Sequence, residues 1–263
     1  MVIENKDHIK KNIFLEYGYP STAEEKMQLI KEIGFDGIFL FADNNFEENV
    51  KLAQKYSLNI ETIHLPFQNI CNSIWEEGIN GEEYTKLIMD WIKKASDNKI
   101  DKVIFHLTQS KTPPQMSELG FSRIKRILDF GSECNVYIAF ENLRNLEYLE
   151  ETVKRFRDHE NFICCFDVGH ANCFSKNIKT YDFENYRGLI KCLHIHDNNE
   201  EYDDHYLPFD GSIDYKEVFK KLKNINYDGE LTLEVICKNN TLSEKDYVKK
   251  AKEAIDRIES YLL

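Results

Sequence analysis

Residues 163–170 read ICCFDVGH: an apolar run that closes on Asp167, with His170 three places further on. Five other stretches have the same form, an apolar run ending in a side chain able to bind a metal. They are ETIHLPF (61–67, closing on His64), KVIFHLT (102–108, His106), YIAFEN (137–142, Glu141), CLHIHD (192–197, His194 and His196) and LTLEV (231–235, Glu234). Successive closing residues lie roughly 25 to 42 positions apart, enough for one strand, one helix and two loops. One ligand-type residue at the end of each of six consecutive strands is what a parallel barrel produces when its active site lies at the strand C-termini.

The rest of the chain agrees with that reading. Strands are expected near 12–16, 36–41, 59–63, 102–106, 136–140, 162–167, 190–195 and 230–235. Helical patterns fall between them, near 22–33, 46–56, 80–98, 119–134, 146–157, 182–188, 214–223 and 243–261. Ser21-Thr22-Ala23-Glu24 opens the first helix with a capping-box pattern, Gly34 stops it, and Ser243 caps the last. Eight strand–helix units with no Pro/Gly/Ser-rich linker predict a single-domain α/β fold, a (β/α)8 TIM barrel spanning 1–263. The stretches 107–118 and 197–213 are loops by composition, and both follow strands, on the catalytic face. Residues two apart on a strand share a face. If His64, His106, Glu141, Asp167, His194 and Glu234 point into the barrel, so do the mostly small Thr62, Ile104, Ala139, Cys165, Cys192 and Thr232. The apolar Ile63, Phe105, Phe140, Phe166, Leu193 and Leu233 then face the helices.

Composition narrows the function. The net charge of −12 argues against a nucleic-acid partner, which calls for a basic face. No apolar run approaches the roughly 20 residues of a membrane span, and residues 1–14 lack a signal-type apolar stretch. The seven cysteines show no CxxC pairing, and adjacent Cys164 and Cys165 cannot face the same side of a strand. Reduced, structural cysteines and a cytoplasmic location are the expectation. A homo-oligomer is compatible with the sequence, which leaves the oligomeric state open.

Three constellations carry chemistry. Glu141, Asp167, His194 and Glu234 suit a divalent cation, with Zn²⁺ and Mn²⁺ ahead of Co²⁺ and Mg²⁺; the competing reading is an ion-pair network lining the barrel. His64 and His106 adjoin Glu141 in barrel order and are placed to bind a second cation bridged by Glu141, or to hydrogen-bond a substrate. His170, Asp203 and His205 form a third set, against the alternative of a solvated acidic loop, since 197–205 reads DNNEEYDDH. Trp75 and Phe67, following His64, are candidates to wall a sugar pocket. Arg144 and Lys238 are the basic residues placed to contact an anionic substrate group. His8 and His159 read as surface residues.

The runs CFDVGHAN, LHIHDN, DDHYLPFDGSIDY, YDG and LTLEV together resemble the xylose isomerase-like TIM barrel superfamily, most closely its sugar phosphate isomerase/epimerase group, over nearly the whole chain. The resemblance implies a metal held at Glu141, Asp167, His194 and Glu234, with the two glutamates flanking the reacting carbons and His170 touching substrate. The type IV apurinic endonucleases belong to the same superfamily. Their trinuclear zinc ligands match His64, His106, Glu141, Asp167, His170, His194, Asp203, His205 and Glu234, so ligands alone do not separate the two activities. Two departures favour the isomerase: Phe209 stands where a glycine is usual after His205, and the loop before His205 is acidic where an endonuclease carries basic residues. The expected function is therefore metal-dependent isomerisation or epimerisation of a sugar, sugar phosphate or related polyhydroxy-carbonyl compound through an enediolate. Glu141 and Glu234 would exchange the proton. A zinc-dependent apurinic endonuclease-like phosphodiesterase is the alternative.

Overall fold

A computed structural model describes residues 8–174, 178, 181–239 and 241–263. Eight parallel strands alternate with eight α-helices in a single-domain (β/α)8 barrel. The strands are β1 Lys11–Phe14, β2 Gly37–Phe41, β3 Asn59–His64, β4 Lys102–Phe105, β5 Tyr137–Glu141, β6 Phe162–Asp167, β7 Ile190–His194 and β8 Leu231–Leu233. The helices are α1 Ala23–Ile33, α2 Phe46–Tyr56, α3 Ile79–Asp97, α4 Glu118–Cys134, α5 Leu146–Phe156, α6 Val168–Phe174, α7 Tyr215–Asn224 and α8 Glu244–Glu259. Strands β1 to β7 pair in sequence order, and β1 also pairs with β8. The ring meets between β7 and β8, where Ile195 bridges Leu233 and its amide donates to the Thr232 carbonyl at 2.9 Å. No helix among the described residues is long and apolar enough to cross a membrane.

The expected two-faced strands divide the core in two. Ile104, Ala139, Ile163, Cys165 and Cys192 form a small cluster inside the barrel, separate from the large outer core. That outer core holds Ile63, Phe105, Phe140, Phe166, Leu193 and Leu233 against the helices. Cys164 belongs to the outer cluster and Cys165 to the inner one, as strand alternation demands. The helix ends follow local chemistry. The capping box of α1 is made by Thr22 and Glu25, and Gly34 closes that helix at φ 95°, a conformation that favours glycine. The Ser243 hydroxyl caps α8 by accepting from the Asp246 amide at 3.2 Å.

The sixth unit departs from expectation. Residues 182–188 do not form a full helix; they hold a short 3₁₀ turn, Phe183–Tyr186. The helix of that unit, α6, starts directly after Asp167 with no intervening loop. ICCFDVGH thus passes from strand to helix at Asp167, a junction that an apolar, unpunctuated run conceals.

Candidate metal centre

The strand ends bring every expected ligand to the C-terminal mouth of the barrel. His64, Glu141, Asp167 and His194 are the last residues of β3, β5, β6 and β7, and His106 and Glu234 follow β4 and β8 by one residue. All six side chains are buried. Glu141 stands at the centre. Its Oε2 lies 2.7 Å from His106 Nε2 and 3.6 Å from His64 Nε2, while its Oε1 lies 3.0 Å from His194 Nδ1. His194 Nδ1 is also 3.2 Å from Glu234 Oε2 and 3.9 Å from Asp167 Oδ2. One carboxylate therefore faces a two-histidine group with one oxygen and a mixed carboxylate–imidazole group with the other.

The third set comes from α6 and the loop after β7. His170 Nε2 and His205 Nε2 lie 3.1 Å and 3.3 Å from the same Asp203 oxygen, Oδ2. The backbone selects which nitrogen faces inward. Leu65, Asn142 and Glu234 offer their carbonyls to Nδ1 of His64, His170 and His205 at 3.1, 3.1 and 2.8 Å. An Nδ1–H donated to a carbonyl leaves Nε2 free as a lone-pair donor.

Residues outside the expected set hold these side chains in place. Asn142 Nδ2 donates to the Asp167 carbonyl at 2.9 Å and its Oδ1 accepts from the Asp167 amide at 2.7 Å, tying the ends of β5 and β6 together. Buried Asp197 anchors the loop that carries Asp203 and His205, accepting from the amides of Asn198, Phe209 and Ile213 at 2.9, 2.9 and 3.2 Å. A side chain on Gly211 would put its Cβ 2.4 Å from Asp197 Oδ1, so the motif needs its glycine. Phe209 adopts φ 75° and His205 φ 53°. The phenylalanine thus occupies a backbone conformation that glycine takes most cheaply, held by the Arg257 guanidinium 4.0 Å from its ring. His196 also reaches the site. The two-residue period in CLHIHD was the signal for it, since His194 and His196 share a face.

Charge is balanced by proximity. Burial would raise the Glu141 pKa, but the imidazoles of His194 and His106 hold it well below the carboxylate range. Glu234 is likewise held low against burial by His194 and His205. Burial lowers His106 and outweighs the pull of Glu141, which favours its neutral, donor form. Burial would also lower His205, yet the hydrogen bond to Asp203 and the charge of Glu234 raise it to about 9.

The donor set fits a divalent cation. Asp167 Oδ2, His194 Nε2, both nitrogens of His196 and Asp203 Oδ1 are buried without a hydrogen-bond partner, which is costly unless something else satisfies them. Glu141, Asp167, His194 and Glu234 each place a donor atom within 4.8 Å of the others, and His64, His106 and Glu141 do the same. The first group, three carboxylates and an imidazole, suits an ion of intermediate hardness.

Above these side chains opens a cavity of about 500 Å³. Phe14, Phe41, Phe67, Leu143, Phe174 and Ile236 form its apolar wall, and Gln109, Ser110, Lys111, Arg144 and Asn145 its polar lip. Arg144 lies 4.2 Å from the Phe174 ring. Two expected substrate contacts lie elsewhere. Trp75 is buried under α4, donating from Nε1 to the Leu107 carbonyl at 2.7 Å and packing on Phe121 and Tyr148. Its indole fills core space, and Phe67, 4.8 Å from the His64 ring, is the aromatic that faces the cavity. Lys238 points outward to Asp204 at 3.5 Å and does not line the cavity. His8 is exposed, whereas His159 is largely covered and lies 3.3 Å from Asp129.

A parallel barrel with a carboxylate–histidine cluster at its strand ends defines the class of this protein. The family model for the xylose isomerase-like TIM barrel matches residues 27–261, and the chain belongs to that family. An uncharacterised protein of Methanocaldococcus jannaschii is 25% identical, covering 97% of this chain and 92% of that protein. The 3-dehydro-D-guloside 4-epimerase of Escherichia coli K12 is 24% identical, covering 82% of this chain and 88% of the enzyme. Among solved structures, D-psicose 3-epimerase with D-tagatose from Clostridium cellulolyticum H10 superposes with a TM-score of 0.78 at 16% identity, covering 97% of this chain and 99% of that one.

Proposed function

We propose that the protein is a metal-dependent isomerase or epimerase acting on a keto sugar, a sugar phosphate or a related polyhydroxy-carbonyl compound. One observation carries the reading: Glu141 and Glu234 approach the same imidazole, His194, at 3.0 and 3.2 Å, on the floor of a cavity that would hold a small polyol. Two carboxylates around one centre are what inversion at a carbon beside a ketone needs, one to remove the proton and one to return it from the other face. Both are held low by neighbouring imidazoles and are therefore ionised.

Glu141, Asp167, His194 and Glu234 would hold the cation, zinc or manganese ahead of cobalt or magnesium. Bound there, it would polarise the substrate's carbonyl and stabilise the enediolate left by proton loss. His170, at the cavity wall, would hydrogen-bond a substrate hydroxyl; Arg144 and Lys111 at the lip would meet a phosphate or other anionic end. The aromatic wall would stack on the apolar face of a sugar ring and exclude water. The relatives support the reaction class: a 3-epimerase of a 2-ketose and a 4-epimerase of a 3-keto sugar both invert a carbon next to a carbonyl.

The test is incubation of the metal-loaded protein with D-psicose, D-tagatose, L-ribulose and 3-keto glycosides in D₂O. Epimerisation with deuterium at the carbon next to the ketone is expected for at least one of them. Turnover with no deuterium uptake would rule out the proton-transfer route.

A further inference from the structure

A second cavity, of about 280 Å³, adjoins the first. It lies between the loops that follow β2 and β3, and it shares Phe41, His64 and Phe67 with the catalytic cavity. The rest of its wall belongs to it alone: Ala42, Asp43, Leu65, Pro66, Gln68 and Ile70. The Ala42 amide donates to the His64 carbonyl at 2.9 Å, which ties the two loops together where they leave their strands. A space of this size takes one more small ring beside whatever fills the catalytic cavity.

The wall suits an uncharged sugar. Phe67 lines both cavities, and its ring packs on those of Phe41 and His64, with centroids 6.1 and 4.8 Å away. A ring held in that way is a platform for the C–H face of a pyranose. Asp43 and Gln68 stand exposed at the rim, a carboxylate and a carboxamide, planar groups that can meet two neighbouring hydroxyls at once. Asp43 Oδ1 accepts from the Asn45 amide at 2.8 Å, which fixes that carboxylate. Gln68 holds φ 29° and ψ −152°, a conformation costly for any residue with a Cβ, and its carbonyl accepts from the Cys71 thiol at 3.2 Å. Such strain persists where the surrounding structure over-determines it, as at ligand clamps. Ile70, 46% exposed, is an apolar side chain that an occupant would cover. Among the described residues no Lys or Arg lines this cavity, so it offers nothing to a phosphate. The cationic lip of the catalytic cavity, Lys111 and Arg144, follows β4 and β5 instead.

We propose that this second cavity is a subsite for an uncharged sugar ring linked to the reacting one, and that the preferred substrate is a keto disaccharide. The inference rests on the isomerase or epimerase reading above and names the substrate class of that site. The reacting unit occupies the catalytic cavity, and the linked ring lies on Phe67 between the β2 and β3 loops. Binding energy from a remote, unreacting ring is spent on positioning the reacting one, so a truncated substrate loses kcat as well as affinity.

The experiment compares D-fructose with maltulose and isomaltulose, which carry a glucose on O4 and on O6 of the same ketose. The readout is deuterium uptake from D₂O at C3 by the metal-loaded protein. At least one disaccharide should exceed D-fructose in kcat/KM by about tenfold. Two variants outside the catalytic cavity locate the effect: Ala42→Leu, which fills the second cavity, and Gln68→Leu, which keeps side-chain bulk and removes the amide. Each should cut the disaccharide's kcat/KM by about tenfold and leave D-fructose within about twofold of wild type, which also shows that the variant is folded. Equal use of the three sugars by wild type would overturn the inference and leave the epimerase reading standing. A disaccharide preference that survives both variants would overturn the assignment to this cavity. Exchange into free D-psicose or D-tagatose with none into either disaccharide would also sink the inference alone, whereas no exchange into any sugar, free or linked, would remove the proposed function with it.

Discussion

At the scale of single residues, the centre is a set of opposite charges held too close together to act independently. Glu141→Gln and Glu234→Gln should each lower kcat by at least about 10²-fold, because each removes a base that has no substitute on its side of the site. Single-turnover deuterium exchange would measure the loss, and turnover surviving in both variants would remove the two glutamates from the chemistry. The His205–Asp203 pair gives a pH dependence with a definite sign. The folded pKa of His205, about 9, lies above the ordinary 6.5. The pair's contribution is therefore fully present below about pH 6.5 and is lost as pH rises through about 9. In chelator-treated protein, thermal stability should fall across that window, and the fall should be shallower in His205→Gln. Metal affinity should rise across the same window, since an imidazole must shed its proton to ligate. A flat stability profile would contradict the raised pKa.

At the scale of elements, the cavity wall depends on how the segment after β3 is fastened. Residues Asn69–Trp75 form a 3₁₀ helix beneath α4. Buried Arg123 of α4 donates from Nη1 to the carbonyls of Ser73, Ile74 and Glu76 at 3.3, 2.9 and 2.6 Å, and from Nε to Glu82 at 2.9 Å. Its guanidinium meets the carbonyls at the C-terminal end of the 3₁₀ helix, where the Ser73 carbonyl also accepts from the Glu76 amide at 3.1 Å. Gly81 leaves space for it, since a Cβ there would lie 2.2 Å from Nη1. Arg123→Met should destabilise the protein by about 3 kcal/mol, the scale of losing charged hydrogen bonds to buried carbonyls. It should also raise KM more than it lowers kcat, because Phe67 belongs to the loosened segment and the ligands do not. Denaturant melts and steady-state kinetics check the two parts. A stability change under about 0.5 kcal/mol, the range of ordinary surface substitutions, would refute the fastening role.

Across the whole molecule, the mouth of the barrel gathers Glu141, Asp167 and Glu234 into one buried cluster, with the half-buried Asp203 near it. A cation bound by the folded chain alone stabilises by mass action, about 2.7 kcal/mol at 100 times Kd. Chelation should therefore lower Tm, and excess Zn²⁺ or Mn²⁺ should restore it; a Tm indifferent to both would count against the metal. A net charge of −12 and the acidic loop 199–204 oppose a phosphodiester backbone. Abasic duplex DNA should stay intact at catalytic protein concentrations, and metal-dependent nicking would revive the endonuclease alternative.

Sequence alone determined the barrel and the end at which its histidines and carboxylates gather. Strand periodicity and apolar length are local properties, and six ligand-type residues repeated at strand ends need no tertiary information to be noticed. The same alternation assigned Cys164 outward and Cys165 inward. Tertiary structure decided what spacing cannot encode. Trp75 and Phe67 are both aromatic residues after His64, but a residue's partner across the fold, here α4 against the cavity, is a matter of packing between distant segments. Lys238 follows β8 as expected yet turns outward to Asp204. Alternation puts His196 on the face of His194, but that Gly169, from a different strand–helix unit, makes room for its ring is visible only in the fold. Local pattern fixes which face a side chain takes, whereas its neighbours depend on close-packing between elements that meet only in the folded chain.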